Sequence, residues 1–334
     1  MSIATVSRAL RSSPEIGKDM QMRVKELAKR LNYRPNPFAR SLRREAPQVI
    51  GVVVPNLASH YYAAVLEGIE DEASKAGYSI ISANSHEDFS AEAMAIDNFI
   101  GLHVEGIVAC LAQNTTDYSH FEELADMGIP LVFCGRTCMP DRFSSVMANG
   151  DEAARQATQH LIDTGSRRIA FVGGPNHLDM VRRRKHGYLE ALRDNNIAVD
   201  PTLVACDRID YDVARRAVEN LLSRSDRPDA ILAFNDMITF AAFAAIKDMG
   251  FSIPGDVALI GFTDDAHAAY VTPRLSVIVD QSKLMGITAC RMLLRNIGGD
   301  QSVNCEVVPQ QLVIRDTSAK RPVCVDANAD VRLL

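Results

Sequence analysis

The chain has 334 residues, 47% hydrophobic and 23% charged, which suits two or three globular domains and excludes a fibrous or disordered protein. No apolar run reaches membrane-spanning length and no signal-peptide pattern opens the chain, so a cytoplasmic protein without a membrane partner is expected. Seven Cys without metal-type spacing point to reduced thiols, not to a disulfide framework or a zinc site. The net charge of −6 is unevenly divided. Residues 1–47 hold 11 Lys and Arg against 4 Asp and Glu, a net of +7, which leaves −13 on residues 48–334. Nucleic acid repels an acidic body, whereas phosphate attracts a small basic head.

The first predicted helix is "IATVSRAL", where Val6, Ala9 and Leu10 share one face and Ile3, Ala4 and Arg8 fall on others. "SSPEIGKDMQMRVKELAKRLNY" predicts a second helix with Met22, Val24, Leu27, Ala28 and Leu31 as its apolar stripe. In "RPNPFARSLRRE", Asn36 can cap a short third helix with Pro37 at its first position, and Leu42 lies among Arg40, Arg43 and Arg44. From Gln48 short apolar runs alternate with amphipathic helices. "VIGVVVP", "YSIISA", "GIVACL" and "PLVFCG" come first, then "RIAFVGG", "AILAF" and "VALIGF". Such runs between helices predict parallel strands buried on both faces, hence a doubly wound α/β architecture in two halves. Residues 318–334 lack periodicity and predict a frayed tail.

The stretches "ATVSRAL", "LNYRPNPFARSLR", "IGVVVPN", "GYSIISANSHED", "LIDTGSRRIAFVGG", "GYLEAL", "AFNDM", "VALIGFTDD" and "TPRLSVIVDQ" resemble the LacI/GalR family of bacterial transcription regulators, in order from Ser2 to about Thr317. The resemblance implies a helix-turn-helix headpiece over 1–35, a hinge helix and linker over 36–47, and an effector-binding core over 48–317. That core is like the sugar-binding proteins of the periplasm: two parallel-sheet subdomains crossed three times by the chain. They are expected at 48–148 with 278–306, and at 149–277 with 307–317. It also implies a homodimer on a near-palindromic operator, since protein two-fold symmetry is mirrored in the DNA. No cofactor is implied.

In this likeness "SIATVSRAL" matches the recognition helix, with Ile3, Ala4 and Arg8 facing base edges. Arginine can pair with guanine through two hydrogen bonds, and small apolar groups touch the thymine methyl. Thr5 and Ser7 suit phosphate contacts, and Tyr33, Arg40 and Arg43 join the DNA-facing set. Leu42 matches a hinge leucine that wedges into the minor groove. The plainer alternatives are a solvated Arg8 and a Leu42 packed between domains. Family members carry about fourteen residues ahead of "SIATV", forming the first helix of the motif. The head is therefore expected to lack its first helix, with upstream codons expected to supply it.

Ligands in open α/β sheets bind beyond the carboxyl ends of the strands. There the resemblance assigns Tyr61 and Tyr62 as an aromatic pair, Arg184 as an effector clamp, and Asn235 and Asp236 as hydrogen-bonding groups. Tyr62 could instead be core, and Asp236 could cap a helix starting at Met237. Thr263 and Gly135 stand where many relatives carry Asp, while Arg136, Arg184, His60 and His86 remain. This departure favours an anionic effector such as a sugar acid, since carboxylates repel an anion and arginine clamps one. Other classes fit less well. A solute-binding transport protein needs a signal peptide and no basic head. An enzyme would need a motif such as G-x-S-x-G, H-E-x-x-H, a phosphate loop or a dinucleotide fingerprint, and none occurs. A ligand sensor without direct DNA binding has only the absent first helix in its favour.

Overall fold

Ser2 opens the first helix of the head, its Oγ accepting the Thr5 N–H at 3.2 Å as an N-cap does. The computed structural model describes residues 2–10, 12–31, 33, 48–205 and 208–319. It separates into a head, Met1–Pro47, and a core, Gln48–Leu334. In the head, α1 (Ile3–Leu10) packs on α2 (Lys18–Arg30) through buried Ala9 and Val24, with Val6, Leu10 and Ala28 half-buried. Gln21 ties the intervening turn, donating to the carbonyls of Ser13 at 2.9 Å and Ile16 at 2.8 Å.

The expected stripe of α2 is only partly used. Met22, Leu27 and Leu31 are 58%, 49% and 70% exposed, because the two turns of α1 cover only the side that carries Val24 and Ala28. The expected third helix, with Arg40, Leu42 and Arg43, lies outside the described residues.

In the core, strands and helices alternate. The first run is β1 (Val49–Val54), α3 (His60–Lys75), β2 (Ser79–Asn84), α4 (Phe89–Gly101), β3 (Gly106–Ala109), α5 (Ser119–Asp126), β4 (Leu131–Cys134) and β5 (Ser144–Ala148). There follow α6 (Gly150–Asp163), β6 (Ile169–Val172), α7 (Asp179–Asp194), β7 (Val204–Ala205), α8 (Tyr211–Leu222), β8 (Ala230–Ala233), α9 (Asp236–Asp248) and β9 (Ala258–Phe262). The chain ends with β10 (Ser276–Val279), α10 (Ser282–Ile297), β11 (Cys305–Val308) and β12 (Gln311–Val313).

Two six-stranded sheets result, ordered β11-β5-β4-β3-β1-β2 and β12-β10-β9-β8-β6-β7. Among the described residues all strand pairings are parallel except β10 with β12. Both faces of the first sheet are covered, which explains the unbroken apolar runs. Along β1, Ile50, Val52 and Val54 pack with α3 and α10, while Val53 packs on the side of Ala95, Ile96 and Phe99 from α4. In the second subdomain α6 lies against α7 and α8 against α9. A Cβ at Gly187 would run into the Asp151 carbonyl, so glycine there lets α6 and α7 approach closely.

The chain passes between the sheets after β5, after β10 and after β11. Two of the expected boundaries need correction, since 277/278 falls inside β10 and 306/307 inside β11. The crossings are bonded to one another. Gln310 N–H donates to Asn149 Oδ1 at 2.6 Å, and Gln281 Nε2 to the Pro309 carbonyl at 2.5 Å. Of the tail expected over 318–334 only Ser318 and Ala319 are described, and Ser318 does not belong to a frayed segment. Thr317 and Ser318 are buried, and the Ser318 hydroxyl bonds His160 at 3.0 Å and Ser276 at 2.7 Å. Among the described residues no helix is long and apolar enough to cross a membrane, and no group of three or more His, Cys, Asp or Glu could hold a metal ion.

Candidate functional site

A cavity of the core, about 570 Å³ with its mouth, opens where the parallel strands end. Asn56 and Ser59 follow β1, Tyr61 and Tyr62 begin α3, Glu87 follows β2 and Arg136 follows β4. From the other subdomain come Met180 and Arg184 of α7, Phe234 to Met237 after β8, Phe262 to Asp264 at the end of β9, and Asp280 after β10. Tyr61, Tyr62, Arg136, Arg184, Asn235, Asp236 and Thr263, all expected from the sequence, lie in this one lining. His60 and His86, expected to make it basic, do not: both are exposed and outside it.

Helical spacing puts Arg184 on the buried face of α7 with Val181 and Tyr188, whereas Arg182 and Arg183 turn outward and pair with Asp179. Arg184 is 1% exposed, its guanidinium 3.7 Å above the ring centre of Phe262 and 4.9 Å from that of Phe234. It donates to the Phe234 carbonyl, and to Asp280 Oδ1 at 2.6 Å. Asp280 also receives Gln310 Nε2. Burial pushes the Asp280 carboxyl up to about 7; Arg184 opposes the shift, and Asp264 and Asp236 add to it. Burial likewise lowers the guanidinium of Arg184, against the pull of Asp280.

Arg136 is held in the same way on the opposite wall. It makes two bonds to Glu87, at 2.6 and 3.0 Å, and a third to the Leu111 carbonyl at 3.1 Å. Its guanidinium lies 5.9 Å from the Tyr62 ring centre, and Tyr62 meets Tyr61 edge-on at 5.0 Å. Tyr62 lines the cavity and is also part of the core behind it.

The helix cap is Asn235, not Asp236. Asn235 Oδ1 accepts the Ile238 N–H at 3.0 Å, while Asp236 is already the first residue of α9 and accepts Ser59 Oγ across the cleft at 2.9 Å. Thr263 Oγ1 accepts the Asp265 N–H at 3.0 Å, which shapes the loop after β9.

The charge of the cavity differs from expectation. Glu87, Asp236, Asp264 and Asp280 stand against Arg136 and Arg184, so carboxylates outnumber guanidinium groups, and each arginine already has a carboxylate partner. Gly135 has φ +78°, and a Cβ there would overlap the Tyr61 hydroxyl. Its glycine therefore answers a backbone and packing need rather than the removal of a charge. Glu87, Asp264 and Asp280 were not foreseen from the sequence. A buried arginine requires a partner, and asking which carboxylates could meet Arg136 and Arg184 would have led to the strand-end loops that hold them.

Residues 158–318 match the periplasmic binding protein-like domain. Over nearly its full length the chain is 31% identical to catabolite control protein A of Priestia megaterium, covering 95% of this chain and 96% of that protein. The chain belongs to the LacI/GalR family of transcription regulators. The ribose operon repressor of Bacillus subtilis is also 31% identical, over 88% of this LacI/GalR chain and 87% of its relative. Among solved structures, the transcriptional regulator CelR–cellobiose complex superposes with a TM-score of 0.75 at 28% identity, covering 95% and 96% of the two chains.

Proposed function

We propose that this LacI/GalR member is a repressor acting as a cytoplasmic homodimer on a near-palindromic operator, with a core that closes on a neutral, polyhydroxylated ligand of the sugar class. The reading departs from the sequence-based expectation of an acid. The observation that carries it is the pairing of Arg136 with Glu87 and of Arg184 with Asp280 inside one cavity. An anion entering there would add a charge to an already carboxylate-rich site. A sugar hydroxyl both donates and accepts, and suits paired carboxylate and guanidinium groups beside the Tyr61 and Phe262 rings. The relatives named above include a ribose repressor and a cellobiose complex, which agree with that class.

Calorimetry with ribose, cellobiose and their aldonic acids tests the reading. A neutral sugar is expected to bind more tightly than its acid, and Thr263→Asp to weaken the acid further while sparing the sugar. An acid that binds the wild type more tightly than its sugar overturns it.

On the DNA side, the reading takes α1 as the base-reading helix, with Ala4 and Arg8 exposed on it and Thr5 and Ser7 half-exposed beside them. Arg8 meets Glu15 at 3.0 Å, an exposed pair that phosphate or guanine can displace. Operator binding by the chain, beside its Ala4→Asp variant with a negative charge on the exposed face of α1, tests this part. Equal affinity of the two overturns it.

A further inference from the structure

At the edge of the cavity, whose lining includes Ile209, Gln113 joins the two subdomains through both its side chain and its main chain. Gln113 follows β3, and Ile209 lies in the loop before α8. The Ile209 N–H donates to Gln113 Oε1 at 3.0 Å, and Gln113 Nε2 donates back to the Ile209 carbonyl at 3.5 Å. His177, ahead of α7, places Nε2 2.6 Å from the Gln113 carbonyl. A primary amide presents a donor and an acceptor in one plane, so it can satisfy the N–H and C=O of one residue together.

On its own side Gln113 is tied to the cavity. Its N–H donates to Glu87 Oε2 at 2.7 Å, and the same oxygen accepts Arg136 Nη1 at 2.6 Å. Arg136 also bonds the Leu111 carbonyl, two residues before Gln113. One carboxylate thus connects the guanidinium that a ligand would meet to the backbone of the residue spanning the cleft.

We propose that Gln113 is a positioning residue that holds the cleft closed, and that Glu87 couples this bridge to Arg136. Two protein–protein hydrogen bonds, each of modest net worth, set the closed-to-open ratio within about tenfold, equivalent to about 1.4 kcal/mol. A change of that size is enough to move a two-state cleft between mostly closed and evenly divided. The inference goes beyond the ligand assignment and does not depend on it, because closure can be read without any ligand.

The test measures the distance between probes placed as unnatural amino acids at Asn98 on α4 and Asn220 on α8, both exposed. Pulsed spin-resonance is recorded on the full chain without ligand, diluted with unlabelled chain so that each pair reports one molecule. The wild type is expected to show mainly the short, closed distance. Gln113→Ala should shift the closed-to-open ratio toward the longer distance by about tenfold, and Gln113→Glu, which retains only the acceptor, should fall between the two. His177→Ala should move the ratio in the same direction, and the unfolding midpoint of each variant should stay near that of the wild type. A Gln113→Ala distribution that superimposes on the wild type, or a wild type already open, overturns the bridge. A shift in Gln113→Ala with none in Glu87→Gln overturns the coupling through Glu87.

Discussion

Asp280→Asn separates two opposite descriptions of the buried pair at the back of the cavity. Asp280 is 5% exposed and accepts from Arg184 at 2.6 Å, so a simple salt bridge would hold its carboxyl below the ordinary range. Burial and the neighbouring Asp264 and Asp236 outweigh Arg184, and the carboxyl is instead pushed up to about 7. In the unfolded chain the same group titrates near 3.9. Between those values the folded protein keeps a proton that the unfolded chain has lost, so raising the pH through this window lowers stability. Three pH units at about 1.4 kcal/mol each set an upper bound of about 4 kcal/mol. Below the window the neutral acid and the amide are alike in shape and charge. The wild type should therefore lose ground to Asp280→Asn from about pH 4 to pH 7, and the difference should level off above that. Denaturant unfolding of both ligand-free chains across this range provides the measurement, and subtracting the two curves removes the contribution of every other titrating group. Parallel curves, or an asparagine variant that loses ground as pH rises, would refute the reasoning and restore a conventional ion pair.

Gly135→Asp restores the residue that many relatives carry but forces a side chain into a φ of +78° and against the Tyr61 hydroxyl. It should cost roughly 2–3 kcal/mol of stability, seen as a lowered unfolding midpoint; an unchanged midpoint would show that charge, not space, decides this position. In the head, Arg8→Ala should weaken specific operator binding by about 1–3 kcal/mol while leaving non-specific DNA binding and helix content nearly unchanged, since the Arg8–Glu15 pair is exposed. Equal loss on operator and random DNA would mean that Arg8 contacts only phosphate.

Much of the architecture was legible because it is written in local period. Apolar runs such as "VIGVVV" and "AILA" are strands covered on both faces, and in α7 a 3.6-residue period separates Arg184 from Arg182 and Arg183. The family resemblance, together with the position of each loop after a strand, pointed to Tyr61, Arg136, Asn235 and Thr263, and these share one cavity lining. Elements without a local signature were not legible. β7 and β12 have two and three residues, too few to show a pattern. α10 packs against α3 and four strands, and so carries apolar residues over a broad face with a weak period.

Charge was read least well. The excess of Lys and Arg in residues 1–47 marks the head without any structure, because net charge is a sum over composition. The character of the cavity is not such a sum. Arg136 meets Glu87 across 49 residues of sequence, and Arg184 meets Asp280 across 96. The sequence and its resemblance could point to Arg136 after β4 and Arg184 on α7, but not to the carboxylates that pair with them. Coulomb and hydrogen-bond energies depend on separations of a few ångströms, and for residues so distant in the chain only the order of strands and helices within each subdomain determines those separations. The local periods of the sequence decided that these sheets form; the tertiary structure decided that their arginines are already paired.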